Sequence, residues 1–368
     1  MDVTAGPAGV RAAVVALLDG PEGRALRAAS PGDPRPLYRR LGGERLLAPH
    51  WPSEHGGRGL TAAEAAAVVE EMVRLGVPDT LHVLSVQIVG QFVLIAGTAA
   101  QRSTLLGPLA RGERFATVLY TEPEAGSDIA SVTTTATPAP AGGHRLRGTK
   151  VYNPWTSQAD VALCLARTEP SRGRYRDLTL FLVPLSALGI EVRPLSSIGA
   201  ERFHEVVLDG VEVGPEAVVG EVGGAWALMD AALALERTGV EYAARAERWL
   251  DLAVGAAVAA GLAGGAGWLE ALGRLGAEAE AARLLAWQVV GRLREGDADG
   301  VAAAGSKWYT SRAAQRVAWW AAETGAAALD EALGAAHAEA PGLTLSAGTS
   351  EMMLQLVAGA LAAGAEPE

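Results

Sequence analysis

The sequence predicts an α+β chain built as three successive segments: helices, a compact β barrel, then helices again. Three observations carry this. From Ala8 to about Arg111 apolar residues recur at helical spacing. From Phe115 to Val219 short β-rich runs alternate with Gly, Pro and Asp punctuation. From Ala225 onward the chain is Ala-rich, helical in pattern and mostly free of proline. That order is neither an alternating α/β chain nor a repeat array. The segments expected are an N-terminal helical domain over 1–113, a middle β domain over 114–222 and a C-terminal helical bundle over 223–368.

Within the first segment, Ala62–Arg74 and Val83–Ile95 read as helices, and Thr61 with Glu64 three residues later forms a capping box. Ala48–Gly57 is a breaker-rich loop between them. The strands expected are Ala116–Tyr120, Ser131–Ala136, Val161–Ala166, Leu178–Val183, Ile190–Pro194 and Glu205–Leu208. In the last segment the one clear break falls at Pro341-Gly342. Leu252–Leu269 carries no charge and is long enough to raise the question of a membrane span. Its five glycines and many alanines suit a buried or loosely ordered helical segment better.

Composition narrows the function classes. The chain has 368 residues, 49% hydrophobic and 20% charged, so it is globular rather than disordered. A net charge of −11 argues against nucleic acid or an anionic membrane as partner. Cys164 is the only cysteine and lies in an apolar run, so no disulfide framework exists and the cytoplasm is the expected compartment. No signal peptide is expected at the N-terminus. The six histidines are scattered without metal-ligand spacing, so no metal site is expected, and the Gly-rich stretches follow no Rossmann or P-loop pattern.

Tyr120-Thr-Glu-Pro-Glu-Ala-Gly-Ser-Asp128 places hydroxyls and freed backbone N–H groups in one tight loop. By itself it reads equally as an ordinary polar turn in a β domain. Other short motifs accompany it in order: Trp51-Pro-Ser-Glu-His-Gly-Gly57, Gly148-Thr-Lys150 with Ala159-Asp160 and Ala166-Arg-Thr168, Phe203–Val213 leading to Val219-Gly220, and Ala347-Gly-Thr-Ser-Glu351. Together they resemble the acyl-CoA dehydrogenase family, from about Leu41 to the C-terminus and only weakly over 250–280. The resemblance implies FAD as cofactor, an acyl thioester as substrate and an electron-transfer flavoprotein as electron acceptor. It also implies a homo-oligomer or a heteromer with a related subunit, and a role in fatty acid or lipid metabolism. The residues it matches to flavin contacts are Tyr120, Thr121, Ser127, Tyr152, Thr349 and Glu351.

Desaturating a thioester needs a carboxylate to take the α-proton while the flavin accepts the β-hydride, with hydrogen bonds to the carbonyl stabilising the enolate-like charge. Many family members carry that glutamate immediately before the C-terminal Gly-Thr-Ser. Here that position is Ala347, which cannot be a base, though its backbone N–H can still donate to the thioester carbonyl. In the branch resembling isovaleryl-CoA and long-chain dehydrogenases, the base comes from a helix just after the β domain. The run Trp226–Gly239 fits that pattern and makes Glu236 the expected base. From the residues alone, Glu236-Arg237 reads as a solvated helix patch like Glu247-Arg248. Glu241 is the competing carboxylate, expected five residues on to face elsewhere.

Several positions depart from the family. Tyr152 replaces a tryptophan and Pro154 a threonine beside the flavin, with Trp155 able to fill the space if the loop is shifted. At the adenine end, the Ala- and Gly-rich stretch Val254–Gly267, Glu323-Thr-Gly-Ala-Ala327 and Leu354 offer nothing to hold a diphosphate. In the family a neighbouring subunit supplies those contacts, so a heteromeric enzyme similar to steroid side-chain dehydrogenases is expected. The alternatives are a non-catalytic or flavin-poor partner subunit, and a flavin oxidase or monooxygenase on the same scaffold.

Overall fold

In the computed structural model, residues 6–140, 142–168, 173–199, 201–229, 238–294 and 299–364 are described. The N-terminal helices are α1 (Pro7–Leu18), α2 (Pro21–Ala29), α3 (Arg35–Gly43), α4 (Ala62–Arg74), α5 (Thr80–His82), α6 (Gln91–Ala96) and α7 (Ala99–Ala110). Between α5 and α6 the chain runs on as a π-helix, Val83–Gly90. The expected capping box starts α4: Thr61 Oγ1 accepts from Glu64 N, and Glu64 Oε2 accepts from Thr61 N. Trp51, from the breaker-rich loop, is fully buried against the π-helix, where a Cβ on Gly90 would lie 2.3 Å from its ring.

Eight strands follow: β1 (Ala116–Leu119), β2 (Thr135–Pro138), β3 (His144–Pro154), β4 (Val161–Thr168), β5 (Leu178–Pro184), β6 (Ile190–Leu195), β7 (Phe203–Val213) and β8 (Val218–Val219). Their order is β6-β7-β3-β2-β4-β5-β8, with β1 pairing β4 off this path. β1 and β2 both pair β4 in parallel, and the remaining pairs are antiparallel. Side chains alternate across β4 as a pleat requires. Val161, Leu163 and Leu165 face the helices, packing with Phe92, Leu105 and Leu106. Ala162, Cys164 and Ala166 face the barrel interior, where they meet Leu146, Phe181, Val206 and Val211. Burial in that apolar interior pushes the Cys164 thiol up to about 11.

The sequence expectation missed β3, and the reason is visible in its inward positions. Gly148 leaves room for Thr134, with a Cβ there lying 2.3 Å from the threonine hydroxyl, and Lys150 is buried although charged. Only Leu146 announces an inward face in the first half. The strand expected from Ser131 begins instead at Thr135, because residues 129–131 form a 3-10 turn in which Ser131 N donates to Asp128 O.

The C-terminal helices are α8 (Val240–Ala259), α9 (Ala266–Arg294), α10 (Gly300–Glu323), α11 (Glu331–Leu343) and α12 (Ser350–Gly364). Their shared core is lined by alanines such as Ala246, Ala282, Ala314 and Ala318, which let helices approach closely, with Trp249 and Trp320 filling the remaining volume. Leu252–Leu269 is divided by the turn at 260–265, and no described helix is long and apolar enough to cross a membrane. The expected break at Pro341-Gly342 is corrected: α11 continues through Pro341 to Leu343, and further breaks lie at 260–265 and 324–330.

The Trp51–Gly90 contact gives a direct test. Gly90→Ala should lower stability by about 1–3 kcal/mol, since neither the buried indole nor the helix backbone can yield cheaply. Urea unfolding of the two proteins measures it, and equal midpoints would show that this contact does not constrain the helix.

Candidate active site

β1 ends in the loop that carries Tyr120, Thr121 and Ser127, and a buried ion pair fixes that loop. Lys150 Nζ, fully buried on β3, lies 2.9 Å from Glu122 Oε1 and donates to the Tyr120 carbonyl at 3.0 Å. The other donors to the Glu122 carboxylate are Thr133 N at 2.6 Å, Thr133 Oγ1 at 2.7 Å and Thr134 N at 2.9 Å. Burial alone would raise its pKa. The Lys150 charge and the hydrogen bonds from Thr133 and Thr134 win and hold it at about 2. Glu122 and Ala125 close the turn by reciprocal backbone hydrogen bonds, and Val151 N donates to Thr121 O at 2.9 Å. Thr121 is left half-buried and Ser127 exposed, and neither hydroxyl hydrogen-bonds within the described residues.

Beside this loop the β3–β7 register shifts between Lys150 and Asn153. Tyr152 takes a left-handed conformation, φ 56°, and its ring stands 65% exposed, edge-on to Phe203. Trp155 does not fill the place beside it. It is buried in the N-terminal core with Phe115 and lies under the Arg202 guanidinium at 5.0 Å.

The third element is the loop between α11 and α12. Ala347 and Gly348 are both left-handed, φ 54° and 91°, and the Ala347 N–H finds no acceptor among the described residues. Thr349 caps α12, its hydroxyl accepting from Met352 N at 3.2 Å. Glu351, in the first turn, is held low by its own backbone N–H and by the Thr349 hydroxyl. These two side chains are therefore engaged in starting the helix.

One face of α10 joins this loop to the segment that follows the β domain. Lys307, fully buried, donates from Nζ to Gly348 O at 2.7 Å and to Leu343 O at 3.3 Å. Ser306 Oγ donates to Thr238 O at 2.7 Å. Gly239, left-handed at φ 81°, lies so close that a Cβ would be 2.6 Å from Thr310 Oγ1. Glu236 itself lies outside the described residues, as does Arg237.

Next to Thr238 is a cavity of about 140 Å³ between α4, the π-helix, the start of α8 and the end of α9. Ala62, Ala66, Val69, Val240 and Val290 form its apolar walls, and His50, His82, Gln87, Gln91 and Glu241 are its polar members. Glu241, the competing carboxylate, lines this cavity. Burial pushes the His50 imidazole down to about 4 and also lowers His82, so both rings are neutral near pH 7. A wider depression of about 570 Å³ over β3, β6 and β7 is open, and its Arg147–Asp209 and Arg193–Glu191 pairs neutralise one another.

At the opposite end of the helical bundle, the α8–α9 turn is Ala260-Gly-Leu-Ala-Gly-Gly265 and carries no polar side chain. Among the described residues no group of His, Cys, Asp and Glu is arranged to hold a metal ion.

A helical domain, a β domain and a helical bundle in this order define a fold shared with known flavoenzymes. The acyl-CoA dehydrogenase N-terminal domain matches residues 20–113, the middle domain 117–211 and the C-terminal domain 223–362. The chain belongs to the acyl-CoA dehydrogenase family, a family of FAD-dependent oxidoreductases. It is 40% identical over 199 residues to acyl-CoA dehydrogenase FadE34 of Mycobacterium tuberculosis, covering 52% of this chain and 27% of that protein. It is 36% identical over 209 residues to acyl-CoA dehydrogenase IpdE1 of the same organism, covering 55% and 53%. These matches thus span about a quarter and about half of the two relatives' lengths. Among solved structures, the Tcur3481-Tcur3483 steroid ACAD is 26% identical with a TM-score of 0.86, each chain covered in full. Butyryl-CoA dehydrogenase from Megasphaera elsdenii shares the fold at 21% identity and a TM-score of 0.85, covering 98% of this chain and 100% of that one.

Lys150→Met should destabilise the protein by about 3–5 kcal/mol, because it strands a buried carboxylate. Since the folded Glu122 ionises well below the ordinary carboxylate value of 4.5, the stabilisation is complete above about pH 4.5 and is lost as pH falls toward 2. Denaturant midpoints across pH 2–7 measure both effects. A Lys150→Met protein as stable as the parent, with an unchanged acid limb, would contradict the role given to this pair.

Proposed function

We propose that this chain carries out flavin-dependent α,β-dehydrogenation of an acyl thioester, with Glu236 as the base. The supporting observation is the polar face of α10, which ties Thr238 and Gly348 to one rigid helix. Thr238, next in sequence after Glu236-Arg237, and the loop bearing the Ala347 N–H are thereby held on the same support, and Thr238 lines a cavity of about 140 Å³.

The ring-side residues fit FAD. Thr121 and Ser127 have hydroxyls without partners among the described residues, and Tyr152 presents an exposed ring beside them. Tyr120 and Thr121 sit on the loop fixed by Glu122, and Thr349 and Glu351 would lie toward the ribityl–diphosphate portion. When bound, FAD supplies the hydride acceptor for the substrate β-carbon. The chain's own contribution is threefold. Glu236 takes the α-proton, the Ala347 N–H donates to the thioester carbonyl as negative charge develops there, and the apolar cavity walls exclude water from the acyl group.

The adenine end does not fit in this chain alone, because the turn at 260–265 has no side chain able to meet a diphosphate. A second subunit completing that end is the reading this favours, and the similar Tcur3481-Tcur3483 steroid ACAD is named for two proteins. The electron acceptor is an electron-transfer flavoprotein, and the compartment is the cytoplasm.

Glu241 makes the choice of base testable. With the flavin-loaded protein, in complex with its partner if flavin requires one, Glu236→Gln should cut 2-enoyl product formation by about a hundredfold or more. Glu241→Gln should stay within about tenfold of the parent. The reverse pattern, read by product formation with flavin content checked at about 450 nm, assigns the base to Glu241.

A further inference from the structure

The cavity beside Thr238 is apolar on most of its wall, yet it holds a buried polar atom that nothing in the described chain satisfies. His82 is 2% exposed, and its Nε2 lies 2.7 Å from the Leu47 carbonyl, so that nitrogen carries the proton. Its Nδ1 is then a bare acceptor, buried and without a donor. His50 Nδ1 and Gln91 Oε1 are buried as well and are neighbours, a ring N–H and an amide oxygen that answer one another. All three residues line the same cavity. Buried polar atoms are normally paired, so the bare His82 Nδ1 on this cavity points to a ligand group that donates to it.

The π-helix is what gathers two of these residues. His82 and Gln91 are nine residues apart. In an α-helix of 3.6 residues per turn that spacing is about two and a half turns, which puts them on opposite faces. Residues 83–90 are wound with i→i+5 bonds, about 4.4 residues per turn, so the same spacing is close to two turns and both side chains reach one face with Gln87. The winding that places Gln91 in the cavity is confined to the stretch that separates it from His82.

We propose that this cavity takes an acyl group bearing a hydroxyl, which donates to His82 Nδ1 and accepts from the Gln91 Nε2 amide. The inference rests on the thioester dehydrogenase reading for the identity of the acyl chain. A hydroxyl fits because it both donates and accepts. A plain alkyl group would strip these atoms of water and leave them unpaired. A carboxylate would meet two neutral imidazoles and the Glu241 carboxylate, and no Lys or Arg stands among the described lining residues.

The test compares three CoA thioesters of one chain length, hexanoyl-CoA, 6-hydroxyhexanoyl-CoA and adipoyl-CoA, by calorimetric titration of the flavin-loaded protein, with its partner subunit if flavin requires one. The hydroxylated ligand should bind at least about tenfold more tightly than hexanoyl-CoA, with adipoyl-CoA weakest. His82→Phe and Gln91→Leu should each bring the hydroxyl preference, read as the ratio of the two affinities, to about one. The second variant decides the matter if the first does not fold, since His82 also packs edge-on to Tyr38. Equal binding of the hydroxylated and plain thioesters overturns the inference, as does a preference that survives Gln91→Leu. Turnover is read separately: a His82- and Gln91-dependent preference without any 2-enoyl product sinks the dehydrogenase reading and leaves the hydroxyl subsite standing.

Discussion

Glu122 and Lys150 are two opposite charges placed where water does not reach, and the β domain is arranged so that neither is left alone. A buried carboxylate needs donors on both oxygens, and here the donors come from three places in sequence: Thr133, Thr134 and Lys150. The loop after β1, the start of β2 and the middle of β3 are therefore locked together by one group's need for compensation. The exposed hydroxyls of the loop owe their positions to that lock. Without it, residues 120–128 would be a surface turn of ordinary freedom.

The helical half uses the same device with a different acceptor. Lys307 is buried and donates to carbonyls at the end of α11 and at Gly348. Backbone carbonyls freed at a helix end want donors, and a lysine from the neighbouring helix provides them. Because Ser306 and Thr310 lie one turn apart on the same face, α10 also grips Thr238 and Gly239. The two loops on which thioester chemistry would depend thus share a rigid strut, while the β-domain loop rests on its own. The β domain is joined to the N-terminal helices by the shared core in which β4, β5 and the helices around Phe92 interdigitate.

What was legible in the sequence was local. The start of α4 could be read because both capping partners lie within four residues, and its end at Arg74 fell where expected. The fully buried strands β4 and β5 announced themselves as apolar runs. β3 stayed hidden because its inward positions are a glycine that makes room for Thr134 and a lysine whose partner is 28 residues away. The place of Glu241 on the cavity was not legible for a different reason. Gly239 is left-handed and α8 begins only at Val240, so helical phase cannot be counted through it. The cavity's polar atoms could not be found either, since Val83–Gly90 reads as an apolar run of either winding. Short motifs, by contrast, located the loops correctly, because their glycines and prolines fix the backbone where they stand.

The π-helix has a consequence for how such a chain can change. A wide helix of this kind can be regarded as an α-helix with surplus residues that the surrounding packing has not let it expel. Shortening the stretch would relieve its backbone and improve its hydrogen bonds, yet would swing Gln91 away from His82 by up to half a revolution. Substrate preference in this scaffold is therefore tied to chain length as well as to residue identity. Relatives that differ here by one inserted or deleted residue would carry the same side chains and present a different pocket.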